Sequence, residues 1–243
     1  MRGSDVAGIV EAVGKDVKRL AVGDEVFGSG AGTFAEYAIA AEKNLVPKPA
    51  DLTFEQAAAA PMAGLTALQA LRDVGKVQPG QKVLINGAGG GIGTFAVQIA
   101  KSFGAEVTGV CSTSKVDLVR SLGADHVLDY TQEDFTQSDE RYDFILDNVL
   151  NHSLTGLLRA LRPKGTLVPN GGQFWKRWTA RTGVIFVKAP LLSLFVPQRI
   201  HPVHLSSEQA SVVVRPRRLP CREHLTRADH LLDAFTRRPT PLA

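Results

Sequence analysis

Cysteine is almost missing from this sequence: Cys111 and Cys221 are the only two in 243 residues. They lie far apart, without a Cys-x-x-Cys spacing and without histidines beside them in a ligand pattern. A disulfide framework and a structural zinc site are both excluded. Long apolar runs are missing too. The longest, Val184 to Val196, is interrupted by Lys188 and Pro190 and falls short of the ~20 residues that span a bilayer. No secretory h-region opens the chain, so no membrane span and a reducing, cytoplasmic setting are expected.

A general excess of basic charge is also lacking, although the formal net charge is +4. Residues 201–243 hold seven arginines against four acids, and the rest of the chain has 21 basic and 20 acidic residues. No nucleic-acid surface is implied. Histidines 126 and 152 are isolated, and the other four sit in residues 201–243 without ligand spacing, so structural roles are expected for them. With 44% hydrophobic and 21% charged residues, the composition is that of a globular protein with a real core.

What the chain does have is glycine in one place. In Lys82 to Lys101, KVLINGAGGGIGTFAVQIAK, an apolar run of strand length (Val83, Leu84, Ile85) meets a glycine cluster. Apolar residues then return at helical spacing as Phe95, Ala96, Ile99 and Ala100. Glycines at such a strand-to-helix turn open dihedrals closed to other residues and let backbone N–H groups approach a ligand, with a partly positive helix end behind them. The cluster reads Ala88-x-Gly90-x-x-Gly93, with further glycines at 87, 89 and 91 and Ile92 between. That is a dinucleotide fingerprint with alanine in its first position, and its required context of strand before and helix after is present.

On either side the pattern divides. The first fifty residues read as short strands with turns between them: Ala7 to Val13, Val22 to Phe27 and Thr33 to Ile39. Too few strands are present to close a barrel. Thr53-x-x-Gln56 is a capping box before a short helix that Pro61 ends, and Leu65 to Arg72 continue as a second helix stopping near Gly75. From Lys82 strands and helices alternate. Glu106 to Cys111, His126 to Asp129, Tyr142 to Asp147 and Thr166 to Pro169 are the strands; Ser114-x-x-Asp117 caps one helix, and Leu154 to Leu161 form another, closed by Pro163-Lys164-Gly165. Such alternation means a parallel sheet covered by helices.

These segments, in order, carry a resemblance. Gly3-x-Asp5-x-x-Gly8-x-Val10, Gly23-Asp24-x-Val26, Thr33-Phe34-Ala35-Glu36-Tyr37, Pro61-x-x-Gly64-Leu65-Thr66-Ala67, the glycine turn, Leu122-Gly123-Ala124-Asp125 and Asp129-Tyr130 are similar to a zinc-independent medium-chain dehydrogenase/reductase of the NADPH:quinone oxidoreductase type. The resemblance runs from residue 3 to about residue 200. It implies an α/β fold: a Rossmann-type doubly wound parallel sheet over 61–200, preceded by an incomplete GroES-like β-barrel domain over 1–60. Residues 201–243 match no motif of the family and are expected to be a divergent tail without regular order, as a shifted reading frame on a gene fragment would produce. The aromatic and basic segment Gln173 to Arg181 is expected to be a loop over the pocket.

The cofactor would lie across the carboxyl ends of the sheet strands with its pyrophosphate on the turn, where Gly87, Ala88, Gly89, Gly90, Gly91, Ile92 and Gly93 are the expected binding residues and the backbone N–H groups from Gly90 to Gly93 the expected contacts. About 20 residues beyond the turn an NAD site would carry an acid. Here Ser112, Thr113, Ser114 and Lys115 stand in that place, hydroxyls and one cation that suit a 2′-phosphate, so NADPH is expected over NADH. The alternatives stay open for Ser112 as a helix cap and for Lys115 as a solvated lysine. The resemblance further places Tyr130 on the 2′-phosphate, Asn148 and Val149 at the nicotinamide ribose, and Thr66 near the nicotinamide, where a helix-start hydroxyl is the equal alternative. It implies metal-free hydride transfer to a quinone or an α,β-unsaturated carbonyl, with a homodimer left open. The competing reading is a non-catalytic NADPH-binding fragment.

Overall fold

The computed structural model describes residues 3–170 and, as backbone strands, 199–200 and 211–216. It divides into two compact units, residues 1–65 with 205–243, and residues 66–204. The expected loop at 173–181 lies outside the described residues.

In the first unit the strands are β1 (Asp5–Val13), β2 (Glu25–Ser29), β3 (Ala38–Ala41), β4 (Leu45–Pro47) and, from far along the chain, a strand at Ser211–Pro216. That last strand runs antiparallel between β3 and β1, pairing Val212 with Ala40 and Val10 with Val214. Of the tail expected over 201–243, the described part is thus this strand and the rest lies outside the described residues. Its Val212-Val213-Val214 run is β-branched, as a paired strand favours. Val6, Val10, Leu20, Val26, Ala38, Ala40 and Leu45 make the core of this unit. Thr53 and Gln56 form the expected capping box on α1 (Phe54–Ala58). Pro61 both closes that helix and opens α2 (Pro61–Leu68), where its missing N–H leaves nothing unsatisfied. The helix continues through a π-type turn, Gln69–Val74, capped at Gly75.

The second unit carries a parallel sheet. Its strands are β5 (Lys82–Asn86), β6 (Glu106–Cys111), β7 (His126–Asp129), β8 (Tyr142–Asp147), β9 (Leu161–Pro169) and β10 (Arg199–Ile200). They lie side by side in the order β10-β9-β8-β5-β6-β7. From β5 the chain winds through α3 (Gly91–Ser102) to β6 and through α4 (Val116–Ser121) to β7. It then returns to the other side of β5 as β8, and α5 (Leu154–Ala160) leads to β9. The reversal between β5 and β8 is a topological switch point, where the two directions of winding leave a crevice at the strand ends. Leu84, Val110, Phe135, Ile145, Leu157 and Leu167 belong to the core beneath it.

Two segments differ from their sequence expectation. Leu161 does not extend α5: it takes extended dihedrals and pairs with Tyr142 at the foot of β9. Residues 162–165 then leave the ladder, which resumes at Phe144 and Thr166. Lys164 turns at φ 69°. Arg162 is held there by Asp143, whose Oδ2 also accepts the Lys82 N–H at 2.9 Å. Ser114 does not cap α4. A 3₁₀ turn at Thr113–Lys115 intervenes, and the Ser114 hydroxyl faces that of Ser112 at 3.3 Å.

Two acids of the recurring motifs serve the fold. Burial would raise the Asp125 carboxyl, but Lys101 at 2.8 Å and the Val107 N–H at 2.7 Å hold it below the ordinary carboxylate range. This joins α3, the Gly123 turn and the start of β6. In the first unit Asp5 is half-buried and accepts the Met62 N–H in the first turn of α2 at 3.1 Å. Burial pushes its pKa up to about 6, against the lowering effect of that bond. A raised acid favours the folded state only while protonated. Its contribution is therefore complete below the unfolded value of about 3.9 and lost as pH rises through 6. Asp5→Asn keeps an acceptor for Met62 and is expected to remove this dependence. Between pH 4 and 7 the wild type should lose about 1–2 kcal/mol relative to the variant, after allowance for solvent screening. Urea melts across that range check it, and parallel curves would contradict it.

Candidate functional site

The site grows from the end of β5. Three apolar residues bury the strand, and Asn86 ends it as a buried polar side chain. Gly87 then turns left-handed, at φ 81°, which a side chain rarely allows. Its N–H and that of Ala88 both donate to the Val110 carbonyl, at 3.1 and 2.9 Å, and so tie the turn to β6. Gly90 donates to the Gly87 carbonyl at 3.0 Å, and Thr94 is the first residue to return a helical bond, to Gly90 at 2.9 Å.

Apart from that of Gly89, the N–H groups not used within the turn lie further on. Gly90 is the residue before α3 and has no side chain to cap it. The N–H groups of Gly91, Ile92 and Gly93 are the first three of the helix, for which an α-helix has no internal partner. Those of Gly87, Ala88 and Gly90 are spent inside the turn, so of the four N–H groups expected to meet the pyrophosphate, Gly90 to Gly93, the last three remain. Gly93 has a separate task. A Cβ there would run into the Gly87 carbonyl oxygen and stand 2.7 Å from Ala88 Cα, so only glycine lets the helix start so close to the strand end. Ala88 is fully buried, and Gly109 of β6 leaves room for its methyl group.

Around the turn opens a cleft of about 690 Å³. Gly87, Gly89, Gly90, Gly91, Ile92 and Gly93 form its floor. Val110, Cys111, Ser112, Lys115 and Tyr130 line one end, and Asn86, Asn148, Val149 and Asn151 the other. Every one of these residues belongs to the second unit. The volume, the glycine floor and the helix end together fit a dinucleotide, with a pyrophosphate on the α3 N-terminus.

Most of the expected site residues meet in this cleft; three do not line it. Ala88 lies beneath the turn. Thr66 is a buried residue of α2. Thr113 gives its hydroxyl to Asp129 at 2.5 Å. Asp129 also accepts the Thr131 N–H and hydroxyl, at 2.9 and 2.8 Å, and these bonds, Thr113 first, hold its carboxyl below the ordinary range. The Ser112 side chain caps nothing, so its hydroxyl stays at the cleft. Tyr130 is more than half exposed. Asn86, Val110, Cys111 and Asn151 were not expected. For Asn86 a signal existed, a polar residue at the carboxyl end of an otherwise apolar strand. Burial raises the Cys111 thiol, with Asp129 adding to the shift, which keeps it protonated and inert. His126 and His152 lie against Glu106 and Asp134, at 3.2 and 3.5 Å.

Residues 1–50 match the family described as "Alcohol dehydrogenase GroES-like domain", and residues 91–190 the one described as "Zinc-binding dehydrogenase". The chain belongs to the medium-chain dehydrogenase/reductase family. Within this family it groups with quinone oxidoreductase-like members. It is 39% identical over 203 residues to mouse "NAD(P)H oxidoreductase RTN4IP1, mitochondrial", covering 79% of this chain and 48% of the relative. It is 41% identical over 159 residues to the tomato "2-methylene-furan-3-one reductase", covering 60% of this chain and 41% of the relative. The structure of Escherichia coli quinone oxidoreductase complexed with NADPH superposes with a TM-score of 0.68 at 26% identity, over 83% of this chain and 63% of that one. This dehydrogenase/reductase chain thus spans about half the length of the curated relatives it matches. Among the described residues no three metal-binding side chains gather into a possible metal site, and no helix is long and apolar enough to cross a membrane.

Gly93→Ala is expected to destabilise the second unit by about 1–3 kcal/mol, since backbone rather than a movable side chain meets the added methyl group. NAD(P)H binding should be lost with it. Thermal melts with and without NADPH check this, and a variant that still gains stability from NADPH would contradict it.

Proposed function

We propose that the chain is of the type that reduces a quinone or an α,β-unsaturated carbonyl compound, with NADPH as the electron donor. The observation that carries the reading is the chemistry of the β6 end of the cleft. Ser112, Lys115 and Tyr130 line it and, among the described residues, no acid does. An enzyme that selects NADH places a carboxylate there for the ribose 2′-hydroxyl, whereas a hydroxyl, a phenol and an ammonium suit a 2′-phosphate. The nearest acid, Asp129, has both oxygens occupied by Thr113 and Thr131. The E. coli relative's complex with NADPH supports the same choice.

The bound cofactor supplies the hydride, and the protein supplies orientation and exclusion of water. Gly91, Ile92 and Gly93 offer N–H groups to the pyrophosphate, Lys115 offers charge at one end, and Asn148 with Val149 forms the wall at the other. Among the described residues no side chain of the cleft is an evident proton donor, and solvent serves that role in this reading. The substrate classes are those of the tomato furanone reductase and the E. coli quinone oxidoreductase. The proposed compartment is the reducing cytoplasm; "mitochondrial" is said of the mouse relative.

A second reading is favoured by one observation. Every described residue that lines the cleft belongs to the second unit, which supports a chain that holds NADPH without turning over a substrate. NADPH titration followed by quinone-dependent NADPH oxidation separates the two. Binding with turnover supports the reductase, and binding without it supports the fragment. Lys115→Glu is expected to weaken NADPH roughly tenfold or more, as loss of a charge-assisted contact does, while NADH changes little. Equal loss for both cofactors, or a preference of the wild type for NADH, would refute the assignment of the β6 end.

A further inference from the structure

The end of the cleft away from Lys115 is built on a carboxyl group that does not itself line it. Asp147 ends β8 on the far side of the switch point from β6, and it is completely buried. Its Oδ1 accepts three bonds: from Asn86 Nδ2 at 2.8 Å, from the Leu150 N–H at 3.0 Å and from the Val149 N–H at 3.2 Å. Its Oδ2 is buried and, among the described residues, without a partner. Leu150 is held in the left-handed region, at φ 58°, where a branched side chain is uncommon and the backbone costs roughly 1–2 kcal/mol. The bond from its N–H to Asp147 is what offsets that strain.

The consequence is local. With 149 and 150 folded back onto Oδ1, the segment after β8 cannot continue straight, and Asn148, Val149 and Asn151 come round to the cleft wall. Asn148 is fixed through its own side chain, Nδ2 donating to the Asn86 carbonyl at 3.1 Å and Oδ1 accepting from Asn170 Nδ2 at 3.0 Å. Asn86 Nδ2 also reaches Asn151 Oδ1 at 3.1 Å. Asp147 is the member of this network that ties the carboxyl ends of β5 and β8 to the strained turn.

We propose that Asp147 is the positioning residue for the nicotinamide half of the cofactor. This rests on the NADPH reading given above. With the pyrophosphate on α3 and the 2′-phosphate at the β6 end, the remaining half of a dinucleotide lies over β8, the side Asp147 organises. The carboxyl group acts through the backbone of 149–150 and the amides of Asn86, Asn148 and Asn151 rather than by touching the cofactor.

The test compares two ligands by titration calorimetry. Adenosine 2′,5′-bisphosphate reaches the β6 end and, through its 5′-phosphate, the glycine turn but not the β8 end, whereas NADPH spans the cleft. Asp147→Ala is expected to weaken NADPH about tenfold and to leave the bisphosphate within about twofold, because a clamp bond to a charged acceptor is lost at one end only. Asp147→Asn keeps an acceptor oxygen but not its charge, and its NADPH affinity should fall between the two. If the alanine variant does not fold, the asparagine variant carries the test together with amide exchange, which should quicken at Val149 and Leu150. A merely structural role would weaken both ligands in parallel. That result, or unchanged NADPH affinity in both variants, overturns the proposal. A wild type that binds neither ligand overturns the cofactor reading instead.

Discussion

The constraint on which the second unit depends is the distance between the end of β5 and the start of α3. A helix has to begin almost in contact with the strand that feeds it, and the chain has only a few residues in which to reverse. Gly87 supplies the left-handed backbone, and Ala88 fills the small space that Gly109 leaves. Gly93 lets the first helical turn pass over the Gly87 carbonyl. The Val110 carbonyl then takes two N–H groups of the turn, so the loop is fastened to the neighbouring strand as well as to its own. Because these bonds consume the donors of Gly87, Ala88 and Gly90, those of Gly89 and residues 91–93 are not used within the turn. The anion site is what remains after the turn has satisfied itself.

The two ends of the cleft are made differently. The β6 end is formed by side chains on a 3₁₀ turn and by an exposed tyrosine, parts that can change identity without disturbing the sheet. The β8 end is formed by a polar network in which Asn86, Asp147, Asn148, Asn151 and Asn170 hold one another, anchored on the buried pair Asn86 and Asp147. At the buried pair a missing partner carries a high penalty, which fixes this end more firmly than the first. Such a division suits a site that must select a ligand by one end and hold its reacting part still at the other.

Much of this was legible in the sequence because the signals were local. The glycine turn announced itself by composition, the capping box of Thr53 and Gln56 by spacing, and the sheet by alternation of strand and helix. The order of motifs from Gly3 to Tyr130 carried the family. What was not legible depends on distant partners. Ser211–Pro216 pairs with β1 and β3 from far along the chain, and its β-branched valine run alone does not say which strands it joins. Thr113 reads as a phosphate donor until Asp129 is placed beside it. Leu161 follows the helical spacing of α5, yet the pairing with Tyr142 takes it into β9. Asp147 reads as the last residue of a strand, and only the left-handed turn at Leu150 shows what its carboxyl group holds.

The central claim is that the amides of residues 91–93 and the side chains of the β6 end hold one dinucleotide phosphate cofactor. Amide chemical-shift mapping of the labelled chain during addition of NADPH tests this most directly. The account predicts that Gly91, Ile92 and Gly93 shift together with Ser112, Lys115 and Tyr130, with one common affinity. Shifts confined to residues outside this cleft, or none at a saturating concentration, would contradict it.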